Sequence, residues 1–291
     1  MAKVGRFWSD EGEAEYRRVY DDARALCPEH EVRRVETRYG EVQTLTDGSG
    51  DATPIVLLHG MSCTSLMWRP NVEALAAGRP VIAIDSIVDC GGSVQSSPVP
   101  DLEAVVDSIV QTLDGLGVQR AHLVGLSYGG WSAAGLAMQA PDRVASTTLL
   151  EPAATLHPIR PAYLLGFAAS FVRQSPRRWK HLFAHRPADD IISLLDASRR
   201  FWPASPLPTV FSDDDLAAIR GPLQVVLGER STTSDPRRTR DRLATVLPQT
   251  PLTVIPGAGH VVSSRSRRRR RATCSCCPAR CYRRLPTTDW P

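Results

Sequence analysis

The pentapeptide Gly125-Leu126-Ser127-Tyr128-Gly129 sets a serine between two glycines, each two residues away. It follows an apolar run at 121–126 and precedes a Gly- and Ala-rich stretch at 128–140. Small residues at those positions allow a tight strand-to-helix turn that presents the Ser127 hydroxyl above the strand ends. A serine hydroxyl is a weak nucleophile until a base takes its proton and donors receive the developing oxyanion. His260, closing Pro256-Gly257-Ala258-Gly259-His260, is the candidate base. His59-Gly60-Met61 is the candidate oxyanion turn, with the Met61 and Tyr128 backbone N–H groups as donors. Each feature has a plainer reading as a packing turn, a loop glycine or a non-catalytic histidine. It is their joint presence, with the nucleophile ahead of the histidine, that favours chemistry.

The surrounding elements must hold these groups together. Residues 54–59 and 80–85 read as buried parallel strands, the first a continuous apolar run, and 121–126 and 144–150 read as the third and fourth strands. Helical patterns separate them at 68–77, 101–116 and 128–140, the second carrying Leu102, Val105, Val106, Ile109, Val110 and Leu113 on one face. After an interruption the rhythm resumes with a strand at 223–227, a helix at 236–247 and a strand at 251–255. Alternation of this kind predicts a mostly parallel, doubly wound α/β sheet. Residues 1–31 read as a polar helical extension, and 32–37 and 42–46 as two further strands. The interruption, 152–215, holds several prolines and eight aromatics, Tyr163, Phe167, Phe171, Trp179, Phe183, Phe201, Trp202 and Phe211. It reads as a helical cap inserted between core segments 32–151 and 216–262.

Composition narrows the class. The chain has 291 residues, 42% hydrophobic and 23% charged, which suits a globular protein and argues against a disordered or fibrous one. No apolar run reaches the ~18 residues of a membrane span, and residues 1–20 show no secretory signal pattern. The net charge of +4 belongs to the C-terminus. Up to residue 263 there are 26 Lys and Arg against 30 Asp and Glu. Cys27, Cys63 and Cys90 are scattered, which points to a reducing, cytoplasmic setting and not to a disulfide framework.

Together, Leu57-Leu58-His59-Gly60, Gly125-Leu126-Ser127-Tyr128-Gly129-Gly130 and Pro256-Gly257-Ala258-Gly259-His260 resemble the α/β-hydrolase superfamily, in its esterase and haloperoxidase-like branch with a helical cap. The resemblance runs from about residue 32 to 262. It implies the α/β-hydrolase fold and a Ser–His–acid mechanism through an acyl-enzyme, with neither metal nor organic cofactor. The expected substrate is a small or medium hydrophobic ester. Dehalogenation is disfavoured, because Ser127 and not an aspartate holds the nucleophile position.

The chain departs from that pattern twice. The family's acid commonly lies three residues after the glycine ending the penultimate core strand; here that glycine is Gly228 and the position holds Ser231. Three carboxylates compete for the role. Asp235, in the same loop, is preferred, although Asp before Pro236 also reads as a helix N-cap. Glu151, at the end of the fourth core strand, is second, since some relatives, haloalkane dehalogenases among them, take their acid there. Glu229 is third. With no acid, the chain becomes a catalytically impaired relative that binds ligands or is vestigial.

The second departure is the tail, 263–291. Relatives continue with a helix packed on the sheet, whereas this chain has five consecutive arginines and a Cys/Pro/Arg mixture with Leu285 as its sole Leu, Ile or Val. The C-terminal helix is thus expected to be missing or replaced by a disordered tail, with the composition of a shifted reading frame in a GC-rich gene. Nucleic-acid binding by the arginines is a weaker alternative. One C-x-x-C without a matched partner gives little support to zinc.

Overall fold

A computed structural model of the chain describes residues 3–160, 189–231 and 233–262. The tail and residues 161–188 of the expected cap, with Tyr163, Phe167, Phe171, Trp179 and Phe183, lie outside the described residues.

The strands are β1 (Arg6–Phe7), β2 (Glu31–Thr37), β3 (Gly40–Asp47), β4 (Ile55–Leu58), β5 (Val81–Ile84), β6 (Val94–Gln95), β7 (Ala121–Leu126), β8 (Val144–Leu150), β9 (Phe201–Trp202), β10 (Leu223–Gly228) and β11 (Leu252–Ile255). The main sheet runs β11-β10-β8-β7-β4-β5-β3-β2, with β6 paired to β3. From β11 to β5 every pairing is parallel, while β2 and β3 form an antiparallel edge. All four residues of both β4 and β5 are buried, which is why these segments read as unbroken apolar runs.

Helices α1 (Asp10–Ala25), α2 (Arg69–Leu75), α3 (Leu102–Gly115), α4 (Tyr128–Gln139), α5 (Asp189–Ser198), α6 (Asp213–Ala217) and α7 (Pro236–Val246) complete the described residues. α3 starts where the Asp101 side chain accepts the Ala104 N–H, and its Val105, Val106, Ile109 and Leu113 face the core. α4 is buried along nearly its whole length, so its glycines and alanines allow close approach to the sheet. Central strands and central helix thus deliver Leu126 and Tyr128 on either side of Ser127.

The N-terminal helix is less separate than the sequence suggests. Tyr16 and Tyr20 of α1 are buried, and the Tyr20 hydroxyl donates to Asp85 at 2.5 Å. α1 also packs on α5 of the cap, and β1 pairs antiparallel with β9. These two-residue strands carry too short a pattern to be found by periodicity. Of the cap aromatics that are described, Phe201 and Phe211 are buried and Trp202 is exposed.

Candidate active site

Ser127 links β7 to α4 with φ 54° and ψ −112°, a conformation that L-residues adopt at a cost of about 1–3 kcal/mol. The surroundings hold it there. Its N–H donates to Leu150 O at 2.9 Å, and its carbonyl accepts from Trp131 and Ala153. The flanking glycines are required by space. A Cβ on Gly125 would lie 2.1 Å from Gly129 O, and one on Gly129 would lie 2.2 Å from Leu58 O. Ser127 is therefore a strained, partly exposed serine at the head of a buried helix.

The turn after β4 runs beside it. A Cβ on Gly60 would lie 3.3 Å from the Ser127 Cβ, closer than ordinary van der Waals contact. His59 is buried, with Nε2 accepting the Ser86 N–H at 2.9 Å. Nδ1 therefore carries the ring proton and donates to Gly60 O at 2.8 Å. Cys63 N–H closes back on Gly60 O. Met61 follows Gly60 in this turn, and the first N–H groups of α4, that of Tyr128 among them, have no acceptor within the helix. The Tyr128 ring stacks toward Trp131 at 5.4 Å, and Trp131 lies parallel to Phe211 of the cap at 6.2 Å. All three rings are buried in the hydrophobic core.

The histidine side is built from side chains. His260 follows β11 on a loop that passes over the end of β10, where a Cβ on Gly228 would lie 2.5 Å from Ala258 O and Gly259 O. His260 Nδ1 is 2.8 Å from Thr233 Oγ1 and 3.3 Å from Glu151 Oε2. Thr233 Oγ1 donates to the same Glu151 oxygen at 3.0 Å, and Ser231 Oγ donates to it as well. The Gly228 N–H donates to Glu151 Oε1 at 2.6 Å. Glu151 is fully buried and has φ 46°. Every partner named here is a donor, matching a carboxylate, which only accepts.

This arrangement differs from the order of preference read from the sequence. The carboxylate against His260 is Glu151, the second choice. Asp235, the first, caps α7: its side chain accepts from Arg237 N and Arg238 N and pairs with Arg160 at 3.1 Å. Its position before Pro236 suits the start of a helix, and the cap holds the carboxylate there. Glu229 is exposed and accepts the Gly257 N–H. Sequence reasoning missed Thr233. The hydroxyl run Ser231, Thr233, Ser234 in place of an acid was the available signal, because hydroxyls lining a buried site need an acceptor nearby.

Fold and site together define a class, and the comparison with known families agrees. Residues 55–271 match the family model described as the alpha/beta hydrolase family, and the chain belongs to that family. Among curated proteins it is similar to two from Bacillus subtilis. The carboxylesterase nap is 30% identical over 88% of this chain and 89% of its own length. The carboxylesterase YbfK is 27% identical over 89% of this chain and 91% of its own length. The solved structure of naproxen esterase from Bacillus subtilis superposes with a TM-score of 0.81 at 26% identity, covering 89% of this chain and 95% of that one.

Proposed function

We propose that this protein hydrolyses small or medium hydrophobic carboxylic esters through Ser127, His260 and Glu151. The observation that carries the reading is the buried contact of Glu151 and Thr233 with His260 Nδ1, at the end of the strand beside the Ser127 elbow. That contact favours a working hydrolase over an impaired relative. The two Bacillus carboxylesterases, similar over most of the chain, support the same reaction class. The hydrophobic character of the substrate rests on the aromatic-rich stretch 152–215 and on the largely apolar lining of ligand sites.

In this reading, Ser127 Oγ attacks the ester carbonyl carbon while His260 Nε2 takes the hydroxyl proton. The carbonyl electron pair moves to oxygen, and that oxyanion is received by the Met61 and Tyr128 N–H groups. Collapse breaks the bond to the alcohol oxygen, which leaves with the proton from His260. Water then attacks the acyl-enzyme, His260 takes its proton, and the second collapse returns that proton to Ser127 Oγ and releases the carboxylic acid. Glu151 orients the imidazole and balances the charge it gains at each step. None of these steps calls on a metal or organic cofactor. Among the described residues, no helix is long and apolar enough to cross a membrane.

The test is covalent labelling by a fluorophosphonate, read by intact mass, beside hydrolysis of p-nitrophenyl acetate, butyrate and octanoate. Wild type is expected to gain one adduct and cleave the esters, and Ser127→Ala and His260→Ala to do neither at a comparable rate. Folded wild type that neither labels nor cleaves any ester overturns the proposal.

A further inference from the structure

The oxyanion turn is closed by a buried carboxylate that the mechanism above does not use. Asp89 follows β5, on the side of β4 away from β7. It is 7% exposed, and its Oδ2 accepts the Ser62 N–H at 2.5 Å. Its Oδ1 accepts the Cys90 N–H at 2.8 Å. Ser62 has φ 60°, the left-handed region that a non-glycine residue occupies at a cost unless something holds it. Ser62 is also the residue after Met61, so the peptide that fixes the Ser62 amide also fixes where the Met61 chain turns. His59 anchors the start of the same turn through Ser86 N–H and Gly60 O. The turn is thus pinned at both ends by side chains that do not point at substrate.

We propose that Asp89 is a positioning residue for the oxyanion turn, its carboxylate holding the Ser62 N–H so that the Met61 amide faces the carbonyl oxygen bound at Ser127. The inference rests on the hydrolase reading and deepens it. Four titratable groups face Asp89: His59, Cys63, Cys90 and Tyr128. Burial pushes its carboxyl up to about 6, opposed by His59 and by the N–H bonds from Ser62 and Cys90. The same burial lifts the Cys63 thiol to about 12, so that thiol adds no charge to the turn near neutral pH. The sign for activity follows. The carboxylate form, with two acceptor oxygens for two N–H groups, prevails above pH 6, and protonation below it weakens the grip on Ser62. The sign for stability is opposite. The fold favours the neutral acid, so ionisation costs stability as pH rises through about 6.

Asp89→Asn tests this directly. An asparagine has one acceptor oxygen and an NH₂, so one of the two backbone amides faces a donor. The expected result is kcat lower by about 10–100-fold, short of or at the loss of a full oxyanion donor, with KM for p-nitrophenyl butyrate within twofold. In wild type, kcat is expected to fall further than in the variant as the pH drops through about 6, where Asp89 takes up its proton. A folded Asp89→Asn with wild-type kcat, or with kcat and KM moved together, overturns the proposal. If that variant does not fold, Asp89→Ser, smaller and with a single acceptor oxygen, decides: a lower kcat at unchanged KM supports the proposal, and a wild-type kcat overturns it. Fluorophosphonate labelling of the same wild-type sample separates the two levels. Absent labelling removes the hydrolase reading and this proposal together, whereas normal labelling with an indifferent Asp89→Asn removes only this one.

Discussion

Ser127 stands between two regions built in opposite ways. On the β4 side, the turn from His59 to Cys63 is held through its backbone groups, braced by the His59 ring and by Asp89. On the β8 side, Glu151, Ser231, Thr233 and His260 meet through side-chain atoms, joined by bonds from the Gly228 and Ser234 N–H groups. The difference teaches where each region is sensitive. A backbone-built site depends on the room left for the chain. A site built from side chains depends on which polar atom sits at which end.

The sharpest way to break the comparison is Glu151→Gln. It keeps the volume and removes the charge behind His260, and one of its atoms becomes a donor facing the Ser231 and Thr233 hydroxyls. By analogy with an acid-to-amide change in a serine triad, kcat/KM is expected to fall about 10⁴-fold. Steady-state hydrolysis with a circular-dichroism check on folding measures it. Adding Ser231→Asp to that variant sharpens the comparison, because the Ser231 side chain already hydrogen-bonds Glu151 Oε2. A carboxylate at 231 would occupy the same chamber, and at least a tenfold recovery of kcat/KM is expected. In the wild-type background the same change places two carboxylates together and should lower both activity and melting temperature.

On the main-chain side, the corresponding break is Gly129→Ala. The added methyl would meet Leu58 O at 2.2 Å and His59 O at 2.6 Å, atoms that belong to backbone and cannot rotate away. Loss of fluorophosphonate labelling is expected, along with a melting temperature several degrees lower. Thr233→Val ranks next. It removes the nearest partner of His260 Nδ1 but leaves Glu151 Oε2 at 3.3 Å from the same nitrogen, so about a tenfold loss of kcat is expected. Thr233→Ser should restore most of it, and KM should hardly move.

The same contrast explains what the sequence made legible. The strands were readable because burial on both faces leaves nothing but apolar residues in β4 and β5. The elbow and the His59 turn were readable because only glycine fits beside backbone, and that requirement leaves a local signature around Ser127. The acid left no such signature. Glu151 is 109 residues from His260, and only the β8–β10 pairing and the β10–β11 crossover bring them together. A single sequence does not encode which strand end fills the chamber, so the loop that carries the family's usual acid position pointed to Asp235. Thr233 and Asp89 were hidden for a related reason. Each acts through another group: for Asp89 neither spacing nor residue type marks that role, and for Thr233 the hydroxyl run beside it was the one hint.

Asp235 gives the mildest test, and it separates a cap from a catalytic acid. Its carboxylate accepts from the first N–H groups of α7 and pairs with Arg160, so its loss should destabilise the helix start and leave the chemistry alone. Asp235→Ala is expected to cost about 1 kcal/mol, the usual value of an N-cap, with kcat within twofold of wild type. Although desolvation opposes it, hydrogen bonds from Arg237 and Arg238 and the Arg160 ion pair hold the carboxyl below its usual range. The stabilisation is therefore present at neutral pH and fades as the pH falls through the depressed value, where the carboxylate takes up its proton. Thermal melts of both proteins at pH 7 and near pH 3 should show the gap narrowing. A hundredfold loss of kcat in a stable Asp235→Ala would return the acid to the β10–α7 loop and leave Glu151 as a buried brace for the strand ends.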